Sequence, residues 1–365
     1  MNILLISTHL NYGGITSYLV TLAKGLRQRG HKVIVTSSSG YALDLLKAYD
    51  IRYIDIPIHT KAEISPSVLA SFLKLRHILK NENIQIIHAQ TRVTQVLAAW
   101  LARSFNIPYV TTCHGFFKRR LSRKLFSGWG SKVIAISEAV KVHLINDFKV
   151  KEEDIVLIYN GVDVNSSLSS NAGYAIKQEI GLRGLGPIIG IIGRLSEVKG
   201  HHYLILAFSQ ILKQIPQAEL LIVGEGKTKK DLVRLVQDLK IEKNVFFVPS
   251  VSNTQRILSI MDVFVMPSIQ EGLGLSIMEA MAEGVPVVAS DVGGISNLIE
   301  HDTRGLLVKP KDAQGLVLAI LVLLKDKKKA EDISLKGRQF IKENFSLDSM
   351  LEKTEGVYRE CIEKR

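Results

Sequence analysis

The chain has 365 residues, 46% of them hydrophobic and 22% charged, with a formal net charge of +12 and two cysteines. At about 150 residues per domain, this length suggests two domains, each large enough to bury its own core. The composition fits a soluble globular protein: no 18-residue apolar run occurs, and the longest candidate, Leu316 to Leu324, is too short to span a bilayer.

Met1–Ser7 lacks a basic region and a small-residue cleavage site, so it reads as a first strand and not a secretory signal. Further strands are predicted at Lys32–Thr36, Ile51–Ile56, Ile84–His88, Pro108–Thr112, Lys132–Ile136 and Ile155–Ile158. Helices fall between most of them, at Gly14–Arg29, Ser67–Asn81, Thr91–Phe105 and Glu138–Asp147. The second half repeats the alternation, with strands at Pro187–Ile192, Glu219–Val223, Val245–Val248, Val263–Met266, Pro286–Ala289 and Gly305–Val308. Apolar strands without internal alternation, spaced by helices, imply parallel sheets covered on both faces. The fold class expected is therefore α/β, with two Rossmann-like domains in tandem. The join falls in the polar turn Tyr159–Ser167, giving domains at 1–164 and 165–345. The last helical stretch, 346–365, has apolar residues at helical spacing and is expected to cross back onto the first domain. Ligands of open α/β sheets bind beyond the carboxyl ends of the strands, so two facing domains imply a cleft between them.

Cys113 and Cys361 have no metal or redox spacing, which together with the missing signal points to a cytoplasmic protein. Charge is unevenly shared: residues 1–180 hold 22 Lys and Arg against 12 Asp and Glu, and residues 181–365 hold 25 against 23. The basic first half suggests an acidic partner. No Cys/His finger or RNA-binding signature favours nucleic acid, so an anionic lipid surface is the better fit.

The stretch Glu271-Gly272-Leu273-Gly274-Leu275-Ser276-Ile277-Met278-Glu279 places two carboxylates around a predicted helix start near Gly274. Free amides there, around Leu275 and Ser276, favour an anion, and carboxylates on either side can accept hydrogen bonds from hydroxyls. A sugar nucleotide has that shape, although a loop glutamate and a helix-surface glutamate would look the same in sequence. After the strand Pro187–Ile192, the loop Gly193-Arg194-Leu195-Ser196-Glu197-Val198-Lys199-Gly200 brings two cations to a strand end, where they can neutralise a diphosphate without a divalent metal. No Asp-x-Asp metal–diphosphate pair occurs, and the histidines lack metal-ligand spacing, so no metal site is expected. Gly13-Gly14 follows the first strand and would let backbone approach a phosphate, or simply make a tight turn. His114 follows the strand Pro108–Thr112 and faces the expected cleft, either as a hydrogen-bonding neutral ring or as a structural histidine.

Taken together, Glu271-x7-Glu279, Gly193-Arg194 with Lys199-Gly200, Gly13-Gly14, His114 and Asn160-Gly161-Val162-Asp163 resemble the retaining glycosyltransferases of family 4, which have the GT-B fold, over nearly the whole chain. That resemblance implies a first domain that binds the acceptor and a second that binds a nucleoside diphosphate-sugar, a UDP- or GDP-sugar. It implies that Arg194 and Lys199 hold the donor diphosphate and Glu279 the ribose. Glu271 would contact the transferred sugar, with Gly274, Leu275 and Ser276 supplying backbone contacts. Gly13 and Gly14 would approach the diphosphate, and His114 would lie beside the reacting sugar. No cofactor is implied, and configuration would be retained by a front-face mechanism in which the leaving diphosphate helps to deprotonate the acceptor. The acceptor expected is a lipid-linked or saccharide precursor of the bacterial envelope, such as a lipopolysaccharide core or a polysaccharide precursor, reached by peripheral attachment to the inner membrane. A nucleoside diphosphate-sugar epimerase of the same fold, or a non-catalytic nucleotide-binding protein, is the alternative.

One further stretch, Phe116-Phe117-Lys118-Arg119-Arg120-Leu121-Ser122-Arg123-Lys124-Leu125-Phe126, carries five basic residues in seven positions. Phe117, Leu121 and Leu125 would form an apolar stripe on a helix, suited to an anionic membrane or an anionic acceptor, or else buried as in an ordinary surface helix.

Overall fold

The structure is a computed structural model that describes residues 1–117, 128–163 and 172–364. It divides into two compact units, Met1–Gly161 with Leu347–Arg365, and Val162–Ser346.

The first unit is built on a seven-stranded sheet of β1 (Asn2–His9), β2 (Lys32–Ser38), β3 (Arg52–Asp55), β4 (Ile86–Ala89), β5 (Tyr109–Cys113), β6 (Lys132–Ala135) and β7 (Ile155–Leu157). The strands are all parallel, in the order β3-β2-β1-β4-β5-β6-β7. Helices α1 (Gly14–Gln28), α2 (Leu43–Ala48), α3 (Pro66–Ile78), α4 (Arg92–Phe105) and α5 (Glu138–Phe148) connect them. Side chains alternate along β1, so Ile3 and Leu5 pack with Leu19, Leu22 and Leu26 of α1, whereas Leu4 and Ile6 pack on the other face with Val68, Leu75, Leu97 and Leu101 of α3 and α4. Local chemistry starts these helices. Ser65 caps α3 by accepting from Val68 N–H, with Pro66 in the first turn, and Thr91 and Thr94 form a capping box on α4.

The C-terminal helix, Leu347–Glu363, lies in this first unit. Its Leu351, Val357 and Tyr358 join the core on the α1 face. The Tyr358 hydroxyl meets His88 Nδ1 at 2.6 Å, and His88 Nε2 meets Thr112 Oγ1 at 2.7 Å, so the returning helix is tied to β4 and β5.

The second unit holds six parallel strands, β8 (Ile188–Ile192), β9 (Glu219–Val223), β10 (Val245–Val248), β11 (Val263–Met266), β12 (Val287–Ser290) and β13 (Leu306–Val308), in the order β10-β9-β8-β11-β12-β13. Its helices are α6 (Ala172–Ile180), α7 (His201–Ile211), α8 (Lys229–Asp238), α9 (Thr254–Leu258), α10 (Leu275–Ala282), α11 (Ala313–Lys325) and α12 (Lys327–Asn344). Ile189 and Ile191 of β8 pack with Leu204 and Phe208 of α7 and with Leu316, Ile320 and Leu323 of α11. Among the described residues no helix is long and apolar enough to cross a membrane.

Candidate functional site

In each unit the strand order reverses once, between β1 and β4 in the first sheet and between β8 and β11 in the second. Loops leaving such neighbouring strands diverge to opposite faces and open a crevice at the carboxyl ends. Gly13 and Gly14 follow β1, His114 follows β5 next to β4, and Arg194, Lys199, Glu271 and Glu279 lie beyond β8 and β11, at or beside these two reversals.

In the second unit, the loop after β8 carries Arg194 and Lys199, and the loop after β11 carries Glu271. The two loops are stitched together: Ile269 N–H donates to Val198 O at 2.8 Å, and Gly200, at φ 69°, passes so close to Pro267 that a Cβ would overlap its carbonyl oxygen. The stitching brings Lys199 Nζ onto Glu271 Oε2 as an ion pair, and Ser268 Oγ donates to the same oxygen at 3.3 Å. The lysine and glutamate side chains are only 19% and 13% exposed, so this pair is screened little by water. Lys199 is thus partly neutralised by Glu271. Arg194 is exposed and forms no ion pair among the described residues, which makes it the uncompensated cation of the loop.

Helix α10 starts at Gly274, whose φ of 99° turns the chain into the helix, and no side chain caps it. The first intrahelical bonds come from Ile277 and Met278 to Gly274 O, so the amides of Leu275 and Ser276 remain for an anion. Glu279 sits on the second turn, apart from Glu271. Burial pushes its carboxyl up to about 7; Thr254, which hydrogen-bonds it, opposes the shift, and the nearby Glu283 adds to it. The residue keeps some solvent access even though its carboxyl group is largely desolvated.

Three features of this region were not singled out from the sequence. Gly293 and Gly294, after β12, lie against the Glu271 and Gly272 carbonyls, with Gly294 N–H donating to Glu271 O at 3.2 Å. The segment Gly224-Glu225-Gly226, after β9, packs on the Arg194 loop, with Leu195 N–H donating to Glu225 O at 2.9 Å. His201 opens α7 at 2% exposure, with neither ring nitrogen partnered, and burial beside Lys199 lowers its pKa to about 4. Ser250 and Val251, which follow β10, are half-buried.

In the first unit, Gly13 is the N-cap of α1 at φ 153°, with no capping side chain, and open space faces both Gly13 and Gly14. His114 follows β5, 4.8 Å edge-on from the Tyr18 ring, with Nε2 2.9 Å from Gln90 Oε1. Burial lowers its pKa to about 3, so the ring is neutral; with Gln90 accepting at Nε2, the proton sits there and Nδ1 is left as an acceptor. Asn160 is buried and its Oδ1 has no partner. Lys118, Arg119, Arg120, Arg123 and Lys124 of the basic stretch lie outside the described residues. Phe117 is described: it is half-buried, 6.3 Å from Trp129 and from Phe148, which is the buried alternative for that side chain.

With the geometry in place, similarity to known proteins is informative. Residues 12–166 match Glycosyltransferase Family 4, and residues 175–340 match Glycosyl transferases group 1. N-acetyl-alpha-D-glucosaminyl L-malate synthase of Bacillus anthracis is 28% identical over 370 residues, covering 98% of this chain and 96% of that protein. The Escherichia coli UDP-Gal:alpha-D-GlcNAc-diphosphoundecaprenol alpha-1,3-galactosyltransferase is 28% identical over 310 residues, covering 80% of each chain. Among solved structures, Anabaena Alr3699/HepE in complex with UDP and glucose superposes with a TM-score of 0.87 at 25% identity, covering 99% of this chain and 100% of the other. The chain is therefore a glycosyltransferase of the GT-B fold, belonging to Glycosyltransferase Family 4 through its first half and to the Glycosyl transferases group 1 family through its second.

Proposed function

We propose that this enzyme transfers a sugar, with retention of configuration and without a metal, from a UDP-sugar to a lipid-linked or saccharide acceptor of the bacterial envelope, working from the cytoplasmic side of the membrane. The observation that carries the donor reading is the grouping of Arg194, the Lys199–Glu271 pair and the uncapped start of α10 at one strand-order reversal. UDP is favoured because a structural neighbour carries UDP-glucose and a relative is named for UDP-Gal. The acceptor class follows relatives named for a diphosphoundecaprenol-linked sugar and for a glucosyldiacylglycerol.

The diphosphate lies on the Leu275 and Ser276 amides with Arg194 and Lys199 beside it, and their charge stabilises it as it leaves. Glu271 uses its remaining oxygen, Oε1, for a hydroxyl of the transferred sugar, while Oε2 stays with Lys199 and Ser268. Glu279 accepts from the ribose. The bond from the anomeric carbon to the diphosphate oxygen breaks as the acceptor oxygen bonds on the same face, and the acceptor proton passes to the departing diphosphate. His114 and the Gly13-Gly14 turn serve the reacting sugar and acceptor. The test is UDP binding by calorimetry in EDTA, followed by transfer from UDP-glucose and UDP-galactose to a polyprenyl diphosphate-linked sugar, with the anomeric configuration read by NMR. Loss of UDP binding in EDTA would refute the metal-free reading. Donor consumed with no acceptor present would indicate an epimerase.

A further inference from the structure

Most large apolar side chains of the first unit are buried, but Ile64, Leu69 and Leu73 are 67%, 50% and 55% exposed and cluster at one helix. Helix α3 buries Val68, Ser71 and Leu75 against the unit, with Phe72 stacked edge-on at 5.9 Å from Trp100 of α4. At 100° per residue, Leu69 and Leu73 lie about 100° and about 140° round the helix from Val68, on its exposed side, with exposed Ala70 and His77 beyond them. Exposed cations frame this stripe: Lys74 on one flank, Arg76 on the other, Lys61 before the helix and Lys80 after it. Between Pro66 and Ile78 there is no acidic residue, and the nearest one upstream, Glu63, is 14% exposed and ion-paired with Arg92 at 3.5 Å.

We propose that this face of α3, with Ile64, docks on an anionic lipid bilayer. An apolar stripe edged by cations along both sides matches the interface of such a membrane, where leucines enter the acyl boundary while lysine and arginine heads remain among anionic headgroups. An acidic protein surface would meet the cations but leave the exposed Leu69 and Leu73 between them without an apolar partner. The position of the face matters for the activity proposed above, and this part of the inference rests on that reading. Glu63 ties the start of α3 to Arg92, which follows Gln90, the partner of His114. Docking therefore sets the lipid surface beside the carboxyl end of the first sheet, where a lipid-linked acceptor would be presented.

The experiment is flotation of the full chain with phosphatidylcholine vesicles and with vesicles containing 30 mol% phosphatidylglycerol (about a third anionic, as in charged membrane leaflets). The parent should bind the anionic vesicles, and weaken with salt, while leaving neutral vesicles largely unbound. Replacing Lys61, Lys74, Arg76 and Lys80 with Ser should lower the partition coefficient about 100-fold or more. The pair Leu69→Ser and Leu73→Ser should lower it about 10-fold or more while the salt dependence persists. All these residues are exposed, so UDP affinity and melting temperature should stay at parental values. Failure of the parent to bind anionic vesicles, or parental binding by both α3 variants, overturns the proposal. So does loss of binding only when Lys118, Arg119, Arg120, Arg123 and Lys124 are replaced. Absent UDP binding would instead count against the donor reading and leave the lipid surface standing.

Discussion

The ionisation of Glu279 gives the sharpest test of the site. Its carboxyl ionises at about 7 in the folded chain and near 4.5 when unfolded, so between those values the folded chain holds a proton that the unfolded chain releases. The neutral carboxyl thus contributes stability in full below pH 4.5, and that contribution is lost as the pH rises through 7. A shift of this size corresponds to about 3 kcal/mol, which partial solvent access at Glu279 reduces to about 2 kcal/mol. Glu279→Gln preserves the shape but cannot ionise. The melting temperature of this variant minus that of the parent should therefore grow by about 4–8 °C between pH 5 and pH 8, at about 2–4 °C per kcal/mol for a unit of this size. Ribose hydroxyls donate more strongly to a carboxylate than to a neutral acid, so UDP affinity of the parent should rise by up to about tenfold from pH 6 to pH 8. In Glu279→Gln only the nucleotide's own titration remains, and the difference between the two proteins isolates the side chain. Equal melting gaps at both pH values would refute the desolvated carboxyl. Parallel affinity profiles would remove Glu279 from the nucleotide site.

Other substitutions separate chemistry from folding. Arg194→Ala should leave the melting temperature nearly unchanged, because the side chain is exposed, and lower kcat about 100-fold or more; a variant that melts early would make Arg194 structural. Lys199→Met leaves Glu271 sheltered without its cation, so it should destabilise more than Lys199→Met combined with Glu271→Gln, with a coupling energy of about 1–3 kcal/mol in a thermal double-mutant cycle. Additive effects would mean that the pair is not formed in solution. Gly200→Ala forces a side chain onto the Pro267 carbonyl at positive φ and should cost about 2–4 kcal/mol by chemical denaturation. Gly14→Ala faces open space and should fold normally while weakening donor turnover; normal stability of Gly200→Ala would contradict the stitched loops.

The sheets were legible because parallel strands covered on both faces appear as short, largely apolar runs; β3, Arg52–Asp55, with a charged residue at each end, is the exception. Helix α2 was not, since six residues with Asp44 and Lys47 exposed and Leu46 alone buried show no period. Motifs read as local were also visible: Gly13-Gly14, Arg194 with Lys199, and the glutamates around the start of α10. What sequence order hid was contact across the sheet. The Lys199–Glu271 pair joins loops that are 72 residues apart, and the packing of Gly293-Gly294 on Glu271 exists only because β12 lies next to β11. The two faces of α3 have similar apolar content, Val68 and Leu75 on one and Leu69 and Leu73 on the other. Periodicity reports that a helix is amphipathic but, with apolar residues on both sides, only the neighbouring α4 decides which side is inward.

Charge illustrates the same distinction between a sum and a placement. The first half carries nearly the whole excess of cations, yet the residues singled out at its strand-order reversal, Gly13, Gly14 and His114, are uncharged, the histidine ring being kept neutral by burial. The second half is almost balanced, yet it gathers Arg194, Lys199, Glu271 and Glu279 at one set of strand ends. A phosphate responds to charges within about a Debye length, roughly 8–10 Å, and to how far each is sheltered from water. On the function proposed above, donor binding therefore rests on the four groups placed by β8, β11 and α10, whatever the balance of the remaining surface. The surplus of the first half is left for contacts that act over an area, and the cations framing Leu69 and Leu73 on α3 are arranged for a surface rather than for a single ligand.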